Sequence, residues 1–209
     1  MAKHAAAPVP QDAPSENSRR VVSQRPVSES ETSHETRKGK NLIMPPDAHA
    51  GRYAATFFLI MAAWMILDRV SKMQFSSMTP GGVIAGPYAG LVDLRLVHNT
   101  GAAWGIFSDS TFALGIFSIV VCVVITIYFL VTIRQSNAIM AIGFGMVVAG
   151  GLGNAVDRFA FGYVTDFIEF SFMDFPVFNV ADIGVTVGFL FVVIGLIVSW
   201  RRQSKRKSE

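Results

Sequence analysis

The chain has few of the residues that a polar surface or a covalent framework requires. Charged residues make up 16% of its 209 residues and hydrophobic residues 51%, whereas a soluble domain is usually about 25% charged. Such a chain cannot cover a globule with polar surface, which argues against an ordinary cytosolic enzyme. The only cysteine, Cys122, excludes an intrachain disulfide framework and a cysteine-based zinc site within one chain.

The sequence patterns of two common classes of hydrolase are also absent. Of the four histidines, His4, His34 and His49 lie in the first fifty residues and only His98 lies beyond them. A serine or cysteine nucleophile needs a base partner, and the chain has no Gly-x-Ser-x-Gly nucleophile elbow. The His-Glu-x-x-His pattern of zinc proteases is absent as well.

The first fifty residues differ in composition from the rest. They are rich in Ala, Pro, Ser, Glu and Arg, and they contain no Phe, Trp or Tyr. This composition predicts a disordered tail, and it lacks the apolar stretch of a secretory signal peptide. We therefore divide the chain into a disordered cytoplasmic tail (1–50), a membrane domain (51–202) and a basic cytoplasmic C-terminus (203–209).

Four apolar segments follow the tail. A helix needs about 20 mostly apolar residues to cross the hydrocarbon core, and the last three segments reach that length almost unaided. The first continues as a mixed segment to Phe75 and spans only if Asp68 lies near the membrane surface or faces the bundle interior. The pattern predicts a mainly α membrane protein with a four-helix transmembrane bundle. The uncharged segments are residues 53–67, 111–133, 138–156 and 183–200.

The distribution of lysine and arginine predicts the orientation of the bundle. Eight lie in the tail through Arg52, five lie in the C-terminus, and Arg134 lies in the turn between the second and third segments. The positive-inside rule places these regions in the cytoplasm. Residues 76–110 and 157–180, here called the first and second outer connections, then lie outside.

The two outer connections differ in character. In the first, apolar and charged residues alternate over 91–97, which predicts a strand, and glycine-rich turns precede it around a second short strand at 83–84. We expect a small external β-sheet here. The second connection mixes phenylalanines with acidic residues, which is typical of an aromatic loop or helix in the headgroup region.

The candidate catalytic groups are four carboxylates that the topology places at one membrane face: Asp68, Asp157, Asp166 and Asp182. Ionisable groups beside apolar spans are costly and are functional candidates. Two aspartates that share a proton can activate water without a metal or cofactor, so none is expected. Ion transport and a non-catalytic assembly role are the alternatives, but the carboxylates form no path across the bilayer. The residues alone do not select which two carboxylates form the pair.

Several polar residues near these carboxylates have two interpretations. Asn154 and Arg158 share a helix face if the third helix continues that far. Asn179 is either a helix N-cap or a substrate contact. Asp68 and Lys72 are spaced for an ordinary salt bridge on one helix.

Five short motifs carry a resemblance to a known family. They occur in the family's order along roughly residues 53–200, and together the chain resembles the bacterial lipoprotein signal peptidases (signal peptidase II). The motifs are Leu67-Asp-Arg-Val-Ser-Lys72, His98-Asn-Thr-Gly-Ala-Ala103, Gly150-Gly-Leu-Gly-Asn-Ala-Val-Asp-Arg158, Val164-Thr-Asp-Phe-Ile168 and Phe178-Asn-Val-Ala-Asp182.

The resemblance implies an intramembrane aspartic endopeptidase that removes signal peptides from diacylglyceryl-modified prolipoproteins just before the lipidated cysteine. It places the catalytic pair at Asp166 and Asp182. The implied setting is the bacterial cytoplasmic membrane, with the site near the outer face. The implied partners are lipidated prolipoproteins and membrane lipids; nucleic acid is not one, and a monomer is expected. The supporting positions are Asp68, Lys72, Asn99, Gly101, Asn154, Asp157, Arg158, Asn179 and Ala181.

Overall fold

A computed structural model of the chain describes residues 46–101 and 110–208. The predicted tail lies almost wholly outside these residues. So does part of the first outer connection, including Ala102 and Ala103 of the second motif. The description below concerns the described residues.

Four long helices form the body of the protein. Each is long and apolar enough to cross a membrane, and the second reaches its span of 25 residues together with the short 3-10 turn Ile133–Gln135 that follows it. The prediction of a mainly α protein with four spans is therefore confirmed. The helices are α1 (Pro46–Phe75), α2 (Thr111–Thr132), α3 (Ala138–Phe161) and α4 (Val180–Ser208).

Helix α3 is the central helix of the bundle, because it packs against each of the other three. Its Phe144 joins a buried aromatic cluster with Phe57 of α1 and Phe129 of α2. The Phe57 and Phe129 rings stack with their centroids 4.8 Å apart. Large apolar side chains on the outer faces, such as Phe117 and Val131, are exposed, as expected for surfaces that face lipid.

Small residues bring the backbones of α3 and α4 into contact. A Cβ atom added at Gly143 would lie 2.6 Å from the carbonyl oxygen of Gly188, and one added at Gly188 would lie 2.7 Å from that of Gly143. Gly150 likewise faces the carbonyl oxygen of Ala181. Glycines permit this close approach, which holds the start of α4 against the outer half of α3.

A three-stranded antiparallel sheet lies at one end of the bundle. It contains β1 (Val83–Tyr88), β2 (Val92–Asn99) and β3 (Val164–Phe170), in the order β1-β2-β3. Strands β1 and β2 confirm the predicted sheet in the first outer connection. Strand β3 was not expected, because the second outer connection was predicted as an aromatic loop or helix.

The sequence of β3 lacks the pattern that usually predicts a strand. Its first four residues are all buried, so apolar and polar residues do not alternate as they do in a half-exposed strand. The aromatic loop occupies only the following residues, where Phe172 and Phe175 are exposed. Pairing of β2 with β3 sets Val97 opposite Asp166 and Asn99 opposite Val164, which brings the two outer connections together.

The close contact between α3 and α4 predicts the effect of Gly143→Ala. The added methyl group has no room, so we expect a loss of about 1–3 kcal/mol in stability from overpacking. The measurement is the apparent thermal unfolding midpoint of the purified protein in detergent. Gly51→Ala on α1 is the control, since nothing lies within 4 Å of its added Cβ. Equal midpoints for the two variants would contradict the packing argument.

Candidate active site

Asp166 and Asp182 are joined by one residue, Asn179. Its amide Nδ2 donates to Asp166 Oδ1 at 2.7 Å, and its backbone N–H donates to Asp182 Oδ2 at 3.0 Å. Asn179 is fully buried. The carboxylate of β3 and the carboxylate of the first turn of α4 are therefore held at a common site, here called the dyad.

Asn179 also begins helix α4. Its Oδ1 accepts from the backbone N–H of Asp182 at 3.1 Å, and the Asp182 carboxylate accepts from the backbone N–H of Asn179. This reciprocal pair is the arrangement of a capping box. The interpretation of Asn179 as a helix N-cap is therefore confirmed, and the cap holds the Asp182 side chain in place; its contact with a substrate stays a prediction.

A second amide holds each carboxylate of the dyad. Asn99 Nδ2 donates to Asp166 Oδ2 at 2.9 Å, and Asn154 Nδ2 donates to Asp182 Oδ1 at 2.8 Å. The pairing of β2 with β3 delivers Asn99, and α3 delivers Asn154. These donors are neutral, so they fix the carboxylates without cancelling their charge.

A buried ionic cluster lies next to the dyad. Lys72 Nζ lies 2.9 Å from Asp68 Oδ2 and 3.1 Å from Asp157 Oδ2, and it donates to Asn154 Oδ1 at 3.0 Å. The expected Asp68–Lys72 pair exists, but it is buried, because Asp157 and Asn154 of α3 enclose it from the other side. Asn154 connects this Lys72 cluster (Asp68, Lys72 and Asp157) to Asp182.

The same two carboxylates also fix the backbone beside the dyad residues. Asp68 Oδ1 accepts from the N–H of Ala181 at 2.9 Å, and Asp157 Oδ2 accepts from the N–H of Thr165 at 3.2 Å. Ala181 and Thr165 are the residues immediately before the two dyad aspartates. Each carboxylate of the Lys72 cluster therefore holds one strand or helix end that carries a dyad residue.

Arg158 connects the central helix to the turn after β2. Its Nη2 donates to the carbonyl oxygen of Gly101 at 3.2 Å, and its Nη1 donates to that of Asn154 at 3.3 Å. The N–H of Gly101 in turn donates to Asn99 Oδ1 at 3.0 Å. Because α3 continues to Phe161, Asn154 and Arg158 share a face, as predicted.

The dyad opens into two adjoining cavities. The first is polar, has a volume of about 230 Å³, and is covered by the segment 175–178 of the aromatic loop. Its polar lining is Asn99, Asn154, Arg158, Asp166 and Asp182. The second is mostly apolar, with a volume of about 290 Å³, and it also touches Asp182. Its other lining residues are Phe170, Phe175, Phe178, Ile183, Thr186 and Val187.

The environment of Asp166 changes its proton affinity. Asp166 is 2% exposed, and its burial, together with the smaller effect of the Asp182 charge, raises its pKa from 3.8 to about 7. The hydrogen bonds from Asn99 and Asn179 oppose the increase. An aspartate that retains its proton near neutral pH beside a second carboxylate suits general acid–base catalysis.

All the predicted site residues meet in this network, including the backbone groups of Gly101 and Ala181. Sequence reasoning missed Thr165, whose backbone N–H donates to Asp157, and Trp64, whose indole N–H donates to the carbonyl oxygen of Val180. The position of Thr165 next to Asp166 was the only available signal. Within residues 46–101 and 110–208, no group of three or more His, Cys, Asp or Glu side chains is arranged to hold a metal.

Comparison with known proteins gives a consistent set of similarities. The family model described as signal peptidase (SPase) II matches residues 60–198. The lipoprotein signal peptidase of Lactiplantibacillus plantarum is 34% identical over 141 residues, which are 68% of this chain and 93% of that protein. The one from Gloeobacter violaceus is 38% identical over 147 residues, 70% of this chain and 84% of that protein. A solved bacterial membrane enzyme structure is 31% identical with a TM-score of 0.62, covering 68% of this chain and 88% of that one.

The raised pKa of Asp166 predicts a pH-dependent stability. Because the folded pKa of about 7 lies above the ordinary 3.8, the Asp166 contribution to stability is fully present below about pH 4 and is lost as the pH rises through about 7. Asp166→Asn lacks this titration. We expect its unfolding midpoint to exceed that of the wild type at pH 8 by more than it does at pH 5, as measured by thermal unfolding in detergent. A difference between the two proteins that is constant from pH 5 to 8 would contradict the assignment.

Proposed function

The chain belongs to the signal peptidase II family, and we propose that Asp166 and Asp182 are its catalytic pair. As a member of this family, it is a multi-pass bacterial membrane protease that removes signal peptides from prolipoproteins. Our proposal adds an aspartic mechanism, a diacylglyceryl-modified substrate and a cut immediately before the lipidated cysteine. The observation that carries it is that Asn179 joins the buried carboxylate of Asp166 to the partly buried carboxylate of Asp182 at the wall of a polar cavity.

In the proposed reaction, a water molecule in the polar cavity attacks the scissile carbonyl carbon. One carboxylate of the dyad takes a proton from this water as the C–O bond forms, and the protonated partner donates to the carbonyl oxygen. Collapse of the tetrahedral intermediate breaks the C–N bond: one aspartate donates its proton to the leaving amine, and the other takes a proton from a hydroxyl of the intermediate, which becomes the new carboxyl group. The pair shares its protons, so the two aspartates act as a unit.

The neutral donors around the dyad support this chemistry. A cation bonded directly to Asp166 would lower its pKa and remove the proton that the reaction requires. Instead the amides of Asn99 and Asn179 hold its carboxylate. The ammonium of Lys72 is bonded to Asp68, Asp157 and Asn154, and it is connected to the dyad only through Asn154.

The two cavities suggest how a substrate binds. The apolar cavity beside Ile183 and Val187 suits apolar residues of the signal peptide, and the lipid chains of the substrate then remain in the bilayer. The polar cavity receives the scissile bond, where Arg158 and Asn99 are placed to orient the substrate backbone or the developing oxyanion. The aromatic loop covers this cavity and must open to admit the substrate.

The dyad predicts the effect of Asp166→Asn and Asp182→Asn. Each change preserves the size of the side chain but removes the titrating proton and one acceptor oxygen, so we expect each to lower kcat by on the order of 10³-fold or more. The double variant should be no less active than either single variant, because the two residues act as a unit. The measurement is cleavage of a purified lipidated peptide, with protein level in the membrane followed in parallel.

Asp68→Asn and Asp157→Asn are the matched controls. Each leaves the buried Lys72 with one carboxylate instead of two, so we expect a lower unfolding midpoint together with lower activity. The dyad variants should accumulate normally. Substantial turnover by either dyad variant would contradict the proposal, and so would inhibition of the wild type by a metal chelator.

We also propose that both termini are cytoplasmic and that the dyad lies near the outer face. The support is the excess of Lys and Arg in the tail and the C-terminus, and Trp200, which is 69% exposed, lies beside Arg201 as an interfacial residue. In this arrangement residues 51–202 form the peptidase unit, and residues 1–50 and 203–209 are cytoplasmic extensions.

The orientation predicts the outcome of labelling and fusion experiments. Gly82→Cys, in the turn before β1, has free space around its side chain, so a membrane-impermeant maleimide should label it in intact cells. A cytoplasmic reporter fused after Glu209 should be active. The wild type is the labelling control, because Cys122 is buried. Labelling of Gly82→Cys only after the cells are broken would reverse the proposed orientation.

A further inference from the structure

Trp64 of α1 makes a specific contact with the start of α4. Its indole Nε1–H donates to the backbone carbonyl oxygen of Val180 at 3.0 Å. Val180 is the first residue of α4 and lies two residues before Asp182. The contact joins residues that are 116 positions apart in the chain.

Gly184 provides the space that this contact needs. A Cβ atom added at Gly184 would meet the indole of Trp64, with Cδ1 at 2.7 Å and Cε2 at 3.0 Å, and its nearest neighbour would be Nε1 itself. The indole edge that donates the hydrogen bond therefore lies directly on the backbone of the first turn of α4. A side chain at position 184 would force this edge away.

Helix α1 holds both polar atoms of one peptide unit. The carbonyl of Val180 accepts from Trp64, and the N–H of Ala181 donates to Asp68 Oδ1 at 2.9 Å. These two groups belong to the same planar peptide bond. Hydrogen bonds on both of its sides restrain the plane from rotating, and only Ala181 separates this plane from Asp182.

We propose that Trp64 is a positioning residue for the reaction, which it serves by fixing the Val180–Ala181 peptide plane and thereby the direction of the Asp182 carboxylate. This inference rests on the proposed function, because it assigns Asp182 to the catalytic pair. Trp64 does not contact the polar cavity, so its effect reaches the reaction through the backbone of α4. A small misplacement of a catalytic group is enough to slow a reaction measurably.

The variant Trp64→Phe tests the proposal. It keeps an aromatic ring beside Gly184 but removes the N–H donor. We expect kcat for a lipidated peptide to fall about 5- to 10-fold, the effect of losing one hydrogen bond, with KM changed by less than about twofold. Trp200→Phe is the matched control, because Trp200 is exposed at the opposite end of α4, and its kcat should equal that of the wild type.

A second variant tests the same bond by an independent route. Gly184→Ala keeps the indole but displaces it from Val180, so it should also lower kcat with little change in KM. Because both changes remove one hydrogen bond, the double variant should lose less activity than the product of the two single losses. Fully multiplicative losses would show that Trp64 and Gly184 act separately, which would overturn the proposal.

The outcomes separate this inference from the proposed function. If the wild type cleaves the peptide and the dyad variants do not, then a wild-type kcat for Trp64→Phe overturns the positioning role alone. A lower unfolding midpoint with unchanged kcat per folded molecule also overturns it, because Trp64 would then contribute only to packing. Cleavage by the dyad variants would overturn the proposed function and this inference together.

Discussion

Lys72 carries its ammonium to a position where only 1% of the side chain is exposed, and a charge so placed is stable only when it is paired and hydrogen-bonded. Two carboxylates and one amide meet this requirement, and they come from two helices. Helices α1 and α3 are therefore fixed relative to each other at this depth. The remaining lone pairs of the two carboxylates are then available, and they bind the N–H groups of Ala181 and Thr165. One buried cation thus organises the segments that carry both dyad residues.

The four carboxylates at this end of the bundle differ in their partners more than in their depth. Asp68 and Asp157 are bonded to a cation, whereas Asp166 and Asp182 are bonded to amides. The first set also holds the backbone N–H groups of Ala181 and Thr165, whereas the second set lines the polar cavity. The two sets are thereby suited to different work: the first holds the backbone, and the second is suited to exchanging protons with water and substrate.

Features that depend on local sequence could be predicted from the residues, whereas features that depend on contacts between distant parts of the chain could not. Spans depend on local composition, so α2 and α3 were predicted almost to their observed ends. Strand β3 was missed because both of its faces are covered, which removes the alternation that reveals a strand. The choice among the four carboxylates stayed open from the residues alone, because partners such as Asn99 and Asp166 lie 67 positions apart. Only the resemblance to a family selected the pair before the fold was known.

Burial of Asp166 has an energetic consequence for the whole domain. A carboxyl group whose pKa is about 7 in the folded protein and 3.8 when unperturbed makes the folded state less stable at neutral pH than a polar residue that does not titrate. This loss of folding stability has to be offset by packing outside the site. Relaxation of the structure around Asp166 would admit water and lower the pKa of its carboxyl group. The close backbone contact between Gly143 and Gly188 and the aromatic cluster around Phe57 lie deeper in the bundle, away from the dyad. Rigid packing there contributes stability that offsets the cost of burying the Asp166 carboxyl group at the other end of the bundle.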